Sequence, residues 1–111
     1  MKTIDYNELL EKVNQDQKSI KLLNALKPSP TRKHQIPNSL NLIQKEDLMQ
    51  SLHRDDEIIV YCSDKACNQS INLYYLLIQL GFNNVTRYAG GIKEWDQNGQ
   101  ALEEIWSSSA A

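Results

Sequence analysis

Cysteine is scarce in this chain, with two in 111 residues. Together with two histidines they do not make a zinc site, because no second Cys pair or His pair has ligand spacing. No apolar run approaches the roughly 20 residues that cross a bilayer. The opening Met1-Lys2-Thr3-Ile4-Asp5-Tyr6-Asn7-Glu8 carries no signal-peptide apolar core. Net charge is only −2, too small for a general attraction to nucleic acid or to an anionic membrane. There is no internal repeat and no low-complexity segment. These absences predict a cytoplasmic protein without a nucleic-acid or membrane partner and without a metal. In that compartment Cys62 and Cys67 are expected as thiols, not as a structural disulfide.

What is present describes one globular domain. Hydrophobic residues make up 41% of the chain and charged residues 23%, an ordinary balance for a folded soluble protein. A chain of this length buries roughly two-thirds of its unfolded surface, enough for one core. We expect the domain over residues 1–106 and a disordered, small-residue tail over 107–111. Asp5 can cap a helix whose buried stripe is Tyr6, Leu9, Leu10 and Val13, with a polar break over 14–18. Ile20, Leu22 and Leu23 read as a strand. Pro28 and Pro30 open a loop over 27–38. A short strand is expected at 39–42 and a helix at 44–52. Ile58-Ile59-Val60-Tyr61 reads as a buried strand. From about Asn68 to Leu80 two apolar stripes at helical spacing predict a helix packed on most sides, stopped at Gly81. A last strand at 84–88, the Gly90-Gly91 turn and a short helix containing Ile92 and Trp95 complete the pattern. Strands alternating with helices in this way predict an α/β fold, a mostly parallel sheet of about four or five short strands covered on both faces.

The chemistry is concentrated at Cys62, where a central strand ends and a short loop leads into an apolar helix. Ligands in parallel sheets bind beyond such strand ends. The first N–H groups of a helix lack internal partners and carry partial positive charge. The loop from Cys62 to Gln69 is long enough to curl backbone N–H groups round the sulfur as an anion nest. A free thiol titrates near ~8.5, and a helix N-terminus with a cation such as Lys65 lowers that value. Asp64 opposes Lys65, so the backbone must provide most of the shift. The plain alternative for Cys62 is a small buried residue at a strand end.

Val60-Tyr61-Cys62 entering a loop, Leu80-Gly81-Phe82 with Asn84-Val85, and Tyr88-Ala89-Gly90-Gly91-Ile92-Lys93-Glu94-Trp95 followed by Gly99 resemble the single-domain rhodanese (sulfurtransferase) family. Ile36-Pro37-Asn38-Ser39 is similar to that family's Ile-Pro-Gly-Ala segment. The resemblance covers about residues 3–104. It implies a three-layer α/β/α fold and a loop cysteine, here Cys62, that takes the outer sulfur of thiosulfate or a similar sulfane donor as a persulfide. A thiol or protein acceptor then removes it, with no cofactor. It also implies that the loop amides of Ser63, Asp64, Lys65, Ala66, Cys67 and Asn68 bind the persulfide and the leaving sulfite.

The chain departs from the family in three places. Its loop has neither arginine nor glycine and is about two residues longer, resembling a branch with a second loop cysteine. Asn24-Ala25-Leu26 stands where Asp-x-Arg is frequent, and Gln35 stands where a histidine precedes Ile-Pro. Loss of these charges predicts weak activity on thiosulfate or a different donor.

Cys67 has two readings: a resolving thiol that attacks the persulfide and forms a disulfide, or a small helix-start residue facing away from the nest. Two other functions are carried alongside the enzyme, a non-catalytic binding module and a Cys62/Cys67 redox protein. A phosphatase would need arginine at position 68, where this chain has Asn68. Arg32, Lys33 and His34 read as a solvated face, and Ser70 as a residue of the first helical turn. Oligomeric state is not encoded in any feature of the sequence.

Overall fold

The computed structural model describes residues 1–16, 20–26, 29, 32–42 and 44–105. The expectations for Pro28, Pro30 and the 107–111 tail fall outside the described residues. In chain order the elements are β1 (Thr3–Ile4), α1 (Tyr6–Asp16), β2 (Ile20–Asn24), β3 (His34–Gln35), α2 (Lys45–Ser51), β4 (Glu57–Tyr61), α3 (Gln69–Gln79), β5 (Asn84–Tyr88), α4 (Gly91–Gln97) and β6 (Glu103–Glu104). Among the described residues no helix is long and apolar enough to cross a membrane.

Four strands form one sheet in the order β1-β5-β4-β2, and every pairing in it is parallel. β4 lies inside the sheet, and its burial on both faces explains the unbroken Ile58-Ile59-Val60-Tyr61 run. Alternation along the strands sorts the core into two clusters. Leu23, Ile58, Val60 and Val85 meet Leu48 and Leu52 around α2 and Leu73, Tyr74 and Leu77 of α3. Leu22, Ile59, Tyr61 and Tyr88 meet Leu9 of α1 and Trp95 of α4 on the other face. The result is the expected α/β/α sandwich with four parallel strands. Apart from it, β3 and β6 pair antiparallel as a small ribbon.

Local details confirm some readings and correct others. Asp5 Oδ1 accepts the Glu8 N–H at 2.8 Å, so the cap of α1 is made as expected. The helix runs on through Asn14 and Gln15 to Asp16, three positions that were expected in a polar break. No strand forms over 39–42. Leu40 makes a single bridge to Leu23, because the Asn41 side chain turns in to the carbonyls of Asn24 and Leu26. Asn38 has φ +67°, and Ser39 N–H bonds to Ile36 C=O across it. This turn places asparagine where left-handed backbone is needed, a conformation it tolerates better than most residues. α3 is not packed on most sides. Tyr75 is 50% and Ile78 44% exposed, because the sheet reaches only the stripe of Ser70, Leu73, Tyr74 and Leu77.

Candidate active site

Cys62 follows directly on β4, at the carboxyl end of the sheet, and is 1% exposed. The backbone there is held from a second element. The N–H groups of Ile92 and Lys93, in the first turn of α4, donate to the carbonyls of Cys62 and Ser63 at 3.0 and 2.9 Å. Gly91 makes this approach feasible. It has φ +67°, and a Cβ added to it would lie 2.5 Å from the Cys62 carbonyl oxygen and 2.8 Å from the carbonyl carbon and oxygen of Ser63. Only glycine meets both demands. The Gly90-Gly91 turn is thus the clamp that fixes the Cys62–Ser63 peptide, and α4 takes part in the site as well as α3.

The Cys62 sulfur is bonded to the sulfur of Cys67. This differs from the expectation of two thiols, and Cys67 turns toward Cys62 and not away from it. The cause lies in Asp64. Its carbonyl accepts the Cys67 N–H at 3.3 Å and its Oδ1 accepts the Ala66 N–H at 3.0 Å. This Asx turn folds the loop back until the two Cα atoms are 6.2 Å apart, inside the span a disulfide requires. Asp64, expected only to oppose the charge of Lys65, organises the loop. In this closed form the amides of Ala66 and Cys67 are therefore committed to Asp64 and do not join a ring round the sulfur. Ser63, Asp64 and Cys67 are half-buried, whereas Lys65, Ala66 and Asn68 are exposed.

The first turn of α3 rests on a buried cation. Ser70 is 1% exposed, and its Oγ accepts from Arg87 Nε of β5 at 2.8 Å. Arg87 is itself only 7% exposed. The sequence reading assigned Arg87 nothing. The signal was a charged residue inside the otherwise buried strand Val85–Tyr88, on the same side as Val85 by strand alternation. Ser70 supports the helix start by holding this guanidinium.

Two clefts flank the loop. One, of about 380 Å3, is lined by Lys65, Ala66, Gly90, Lys93 and Glu94. The other, of about 290 Å3, is lined by Ser63, Arg32, Lys33, His34, Lys93 and apolar residues including Leu26. Asp64 borders both. Arg32, Lys33 and His34, read as a solvated face, are thus brought beside the cysteine loop. Lys93 borders both clefts and was not singled out from the sequence. It could have been found by noting that parallel neighbours β4 and β5 deliver the residues after them to the same end of the sheet.

The positions that depart from the family pattern also meet. Asn24 Nδ2 donates to Gln35 Oε1 at 3.4 Å, Asn24 Oδ1 accepts the Leu26 N–H at 3.1 Å, and Gln35 Nε2 donates to Ser39 C=O at 3.0 Å and to Glu103. Close by, the Tyr61 hydroxyl accepts the Ile36 N–H at 3.2 Å and shares a hydrogen with Ser39 Oγ. Burial raises the Tyr61 phenol well above its usual range.

A family model described as rhodanese-like domain matches residues 6–98. Solved structures share the fold. The BH2092 protein of Bacillus halodurans superposes with a TM-score of 0.83 at 22% identity, over 96% of this chain and 85% of that one. A rhodanese-like domain from the Alr3790 protein of Anabaena sp gives 0.81 at 21%, over 100% and 86%. A rhodanese-related protein of Thermoplasma volcanium gives 0.71 at 27%, over 93% and 98%. No protein with a curated description matches the chain.

Proposed function

The chain belongs to the rhodanese-like domain family, and on that premise we propose that its reduced form is a sulfurtransferase whose nucleophile is Cys62. The Cys62 thiolate attacks the outer sulfur of a sulfane donor such as thiosulfate. The S–S bond of the donor breaks, sulfite leaves with the electron pair, and Cys62 carries the outer sulfur as a persulfide. A thiol or protein acceptor takes that sulfur in a second half-reaction.

One observation carries this reading. The Cys62 sulfur is directed to the loop, where it reaches another sulfur, while the Cys62 backbone is clamped by α4 at the sheet's carboxyl end. A merely structural cysteine at a strand end would point its sulfur into hydrocarbon. The surroundings favour an anionic donor. Lys65, Lys93, Arg32 and Lys33 border the two clefts against Asp64 and Glu94, and such a rim raises the local concentration of small anions. Ser63 to Asn68 would bind the persulfide and the leaving group once reduction frees the loop, with no metal or organic cofactor in the step. We place the reaction in the cytoplasm, where thiol reductants keep such a loop open.

The test uses protein reduced and then freed of reductant. Added thiosulfate should release about one equivalent of sulfite per chain, as one nucleophile per chain demands. Cys67→Ser should do the same, and Cys62→Ser should release none. Absence of sulfite from the wild-type protein, and of any sulfur adduct with a low-molecular-weight persulfide as donor, would refute the proposal.

A further inference from the structure

We propose that Cys67 resolves the Cys62 persulfide, so that the protein reduces sulfane sulfur to sulfide and is reset by a dithiol. This inference rests on the sulfurtransferase reading and adds a second reaction to it.

The steps balance. Cys67 thiolate attacks Cys62 Sγ of the persulfide. A bond forms between the two cysteine sulfurs, the bond from Cys62 to the outer sulfur breaks, and the outer sulfur leaves with the electron pair as hydrosulfide. The two cysteines are oxidised to the disulfide, and the transferred sulfur is reduced. A dithiol reductant then attacks the disulfide, is itself oxidised, and returns both cysteines to thiols. Over one cycle thiosulfate and a dithiol give sulfite, sulfide and the oxidised dithiol.

Three features of the loop support this. The product of the resolving step is the bonded pair seen in the structure. In the bonded form the Asp64 turn, through its bonds to the Ala66 and Cys67 N–H groups, sets the two Cα atoms 6.2 Å apart, so closing of this turn brings Cys67 to the distance the attack needs. Access favours the internal thiol as well. Cys62 is 1% exposed, so an external thiol reaches its Sγ poorly, whereas Cys67 is already in place and gains the advantage of an intramolecular reaction. The same asymmetry sets the direction of the reset. Cys67 is the half-buried partner and Cys62 the buried one, so the reductant enters at Cys67 and Cys62 departs as the thiolate, ready for the next donor.

A single-turnover experiment tests it. Reduced protein freed of reductant receives one equivalent of thiosulfate. Wild type should release sulfite and sulfide in equal amounts and end as the Cys62–Cys67 disulfide. Cys67→Ser should release sulfite but no sulfide and retain about 32 Da on Cys62, the mass of one transferred sulfur. Cys67→Ala gives the same readout should the serine variant fold poorly. Sulfite without sulfide from wild type, or sulfide from Cys67→Ser at the wild-type rate, overturns the resolving step and leaves the sulfurtransferase standing. No sulfite from either protein removes both. The direction of reset is read by exposing the oxidised protein to a monothiol and quenching with acid. Cleavage after Lys65 separates the two cysteines, and the adduct should lie on the peptide containing Cys67. An adduct on the Cys62 peptide overturns the direction.

Discussion

Replacing Gly91 by alanine should do more damage than replacing Gly99, although both glycines lie in left-handed backbone, at φ +67° and +77°. An L-residue in that region costs about 1–2 kcal/mol, and this term is common to both sites. The rest differs. Around Gly99 a new Cβ meets nothing within 4 Å. At Gly91 it meets the Cys62 oxygen at 2.5 Å and Ser63 backbone atoms at 2.8 Å. Those are backbone atoms held by two hydrogen bonds from α4, so they cannot swing aside as a side-chain tip would. Forcing such an overlap apart typically costs a further ~1–3 kcal/mol. Gly91→Ala should therefore lose about 2–5 kcal/mol and Gly99→Ala about 1–2. With a urea dependence of roughly 1–3 kcal/mol per molar for a small domain, the Gly91→Ala midpoint should fall by about 1–2 M, well beyond that of Gly99→Ala. Unfolding should be followed with a phosphine reductant present, so that the disulfide does not enter the comparison. The same overlap displaces the Cys62–Ser63 peptide, so sulfite release at low urea should slow in Gly91→Ala and not in Gly99→Ala. Equal midpoints for the two variants would refute the assignment of Gly91 as the clamp on the cysteine loop.

Two more outcomes follow from the polar groups round the site. Burial raises the Tyr61 phenol above its value in the unfolded chain, and burial followed by the bond to Glu94 does the same for Tyr88. The folded state therefore keeps these protons at pH values where the unfolded chain loses them. The stability they support is whole below about pH 10 and declines above it, by up to ~1.4 kcal/mol per pH unit for each tyrosine. Tyr61→Phe should cost about 1–3 kcal/mol at pH 8, because the Ile36 N–H loses its acceptor, and the deficit should narrow above pH 10 in pH-resolved urea unfolding. Lys93→Gln should raise KM for thiosulfate several-fold with kcat little changed, and added salt should erode the difference between the two proteins, because Lys93 borders both clefts as an exposed cation. A drop in kcat with KM unchanged would mean that Lys93 does not act by attracting the anion.

The elements that announced themselves in the sequence were those with a local signal. Asp5 and Glu8 mark the start of α1, Val85 to Tyr88 are β-formers between turns, and the Ile58–Tyr61 run is long enough to demand burial on both faces. β1, β3 and β6 have two residues each. No period can be read over so short a span, and β3 meets β6 across nearly seventy positions of chain. Two apolar stripes were visible on α3, but a stripe does not say whether anything covers it, and the outer one with Tyr75 and Ile78 remains open. At the site, the place of Cys62 at the end of a buried strand was legible from the apolar run before it. Its bond to Cys67 was not, because it depends on Asp64 acting as a turn residue while sequence alone weighed it as a charge. Arg87, Lys93 and the Arg32–His34 stretch reach the site only through the parallel order of β2, β4 and β5, which no neighbouring residues spell out.

On the proposed sulfurtransferase reading, that order also gives a loop without arginine cationic neighbours for an anionic donor. A guanidinium inside the loop would do two things at once, stabilising the thiolate from close range and gripping the donor. Here the cations stand in two separate places. Arg87 is buried beneath the first turn of α3 and bonded to Ser70, so its charge is fixed and poorly screened. Lys65 and Lys93 are exposed and Lys33 half-exposed on the rim, where water and salt weaken them, and they draw in an anion without holding it. On the β2 side Asn24 and Gln35 bond each other and the backbone where charged residues stand in the family pattern, and the carboxylate they meet is Glu103, bonded to Gln35. Adding one charge back to that unit, as in Asn24→Asp, would set a carboxylate against Gln35, whose amide already donates to Glu103, at the edge of the cleft lined by Arg32, Lys33 and Lys93. A buried carboxylate is costly unless it is paired, and position 24 is 2% exposed and already bonded through its amide to Gln35 and to the Leu26 N–H, so the amides at 24 and 35 work as a set.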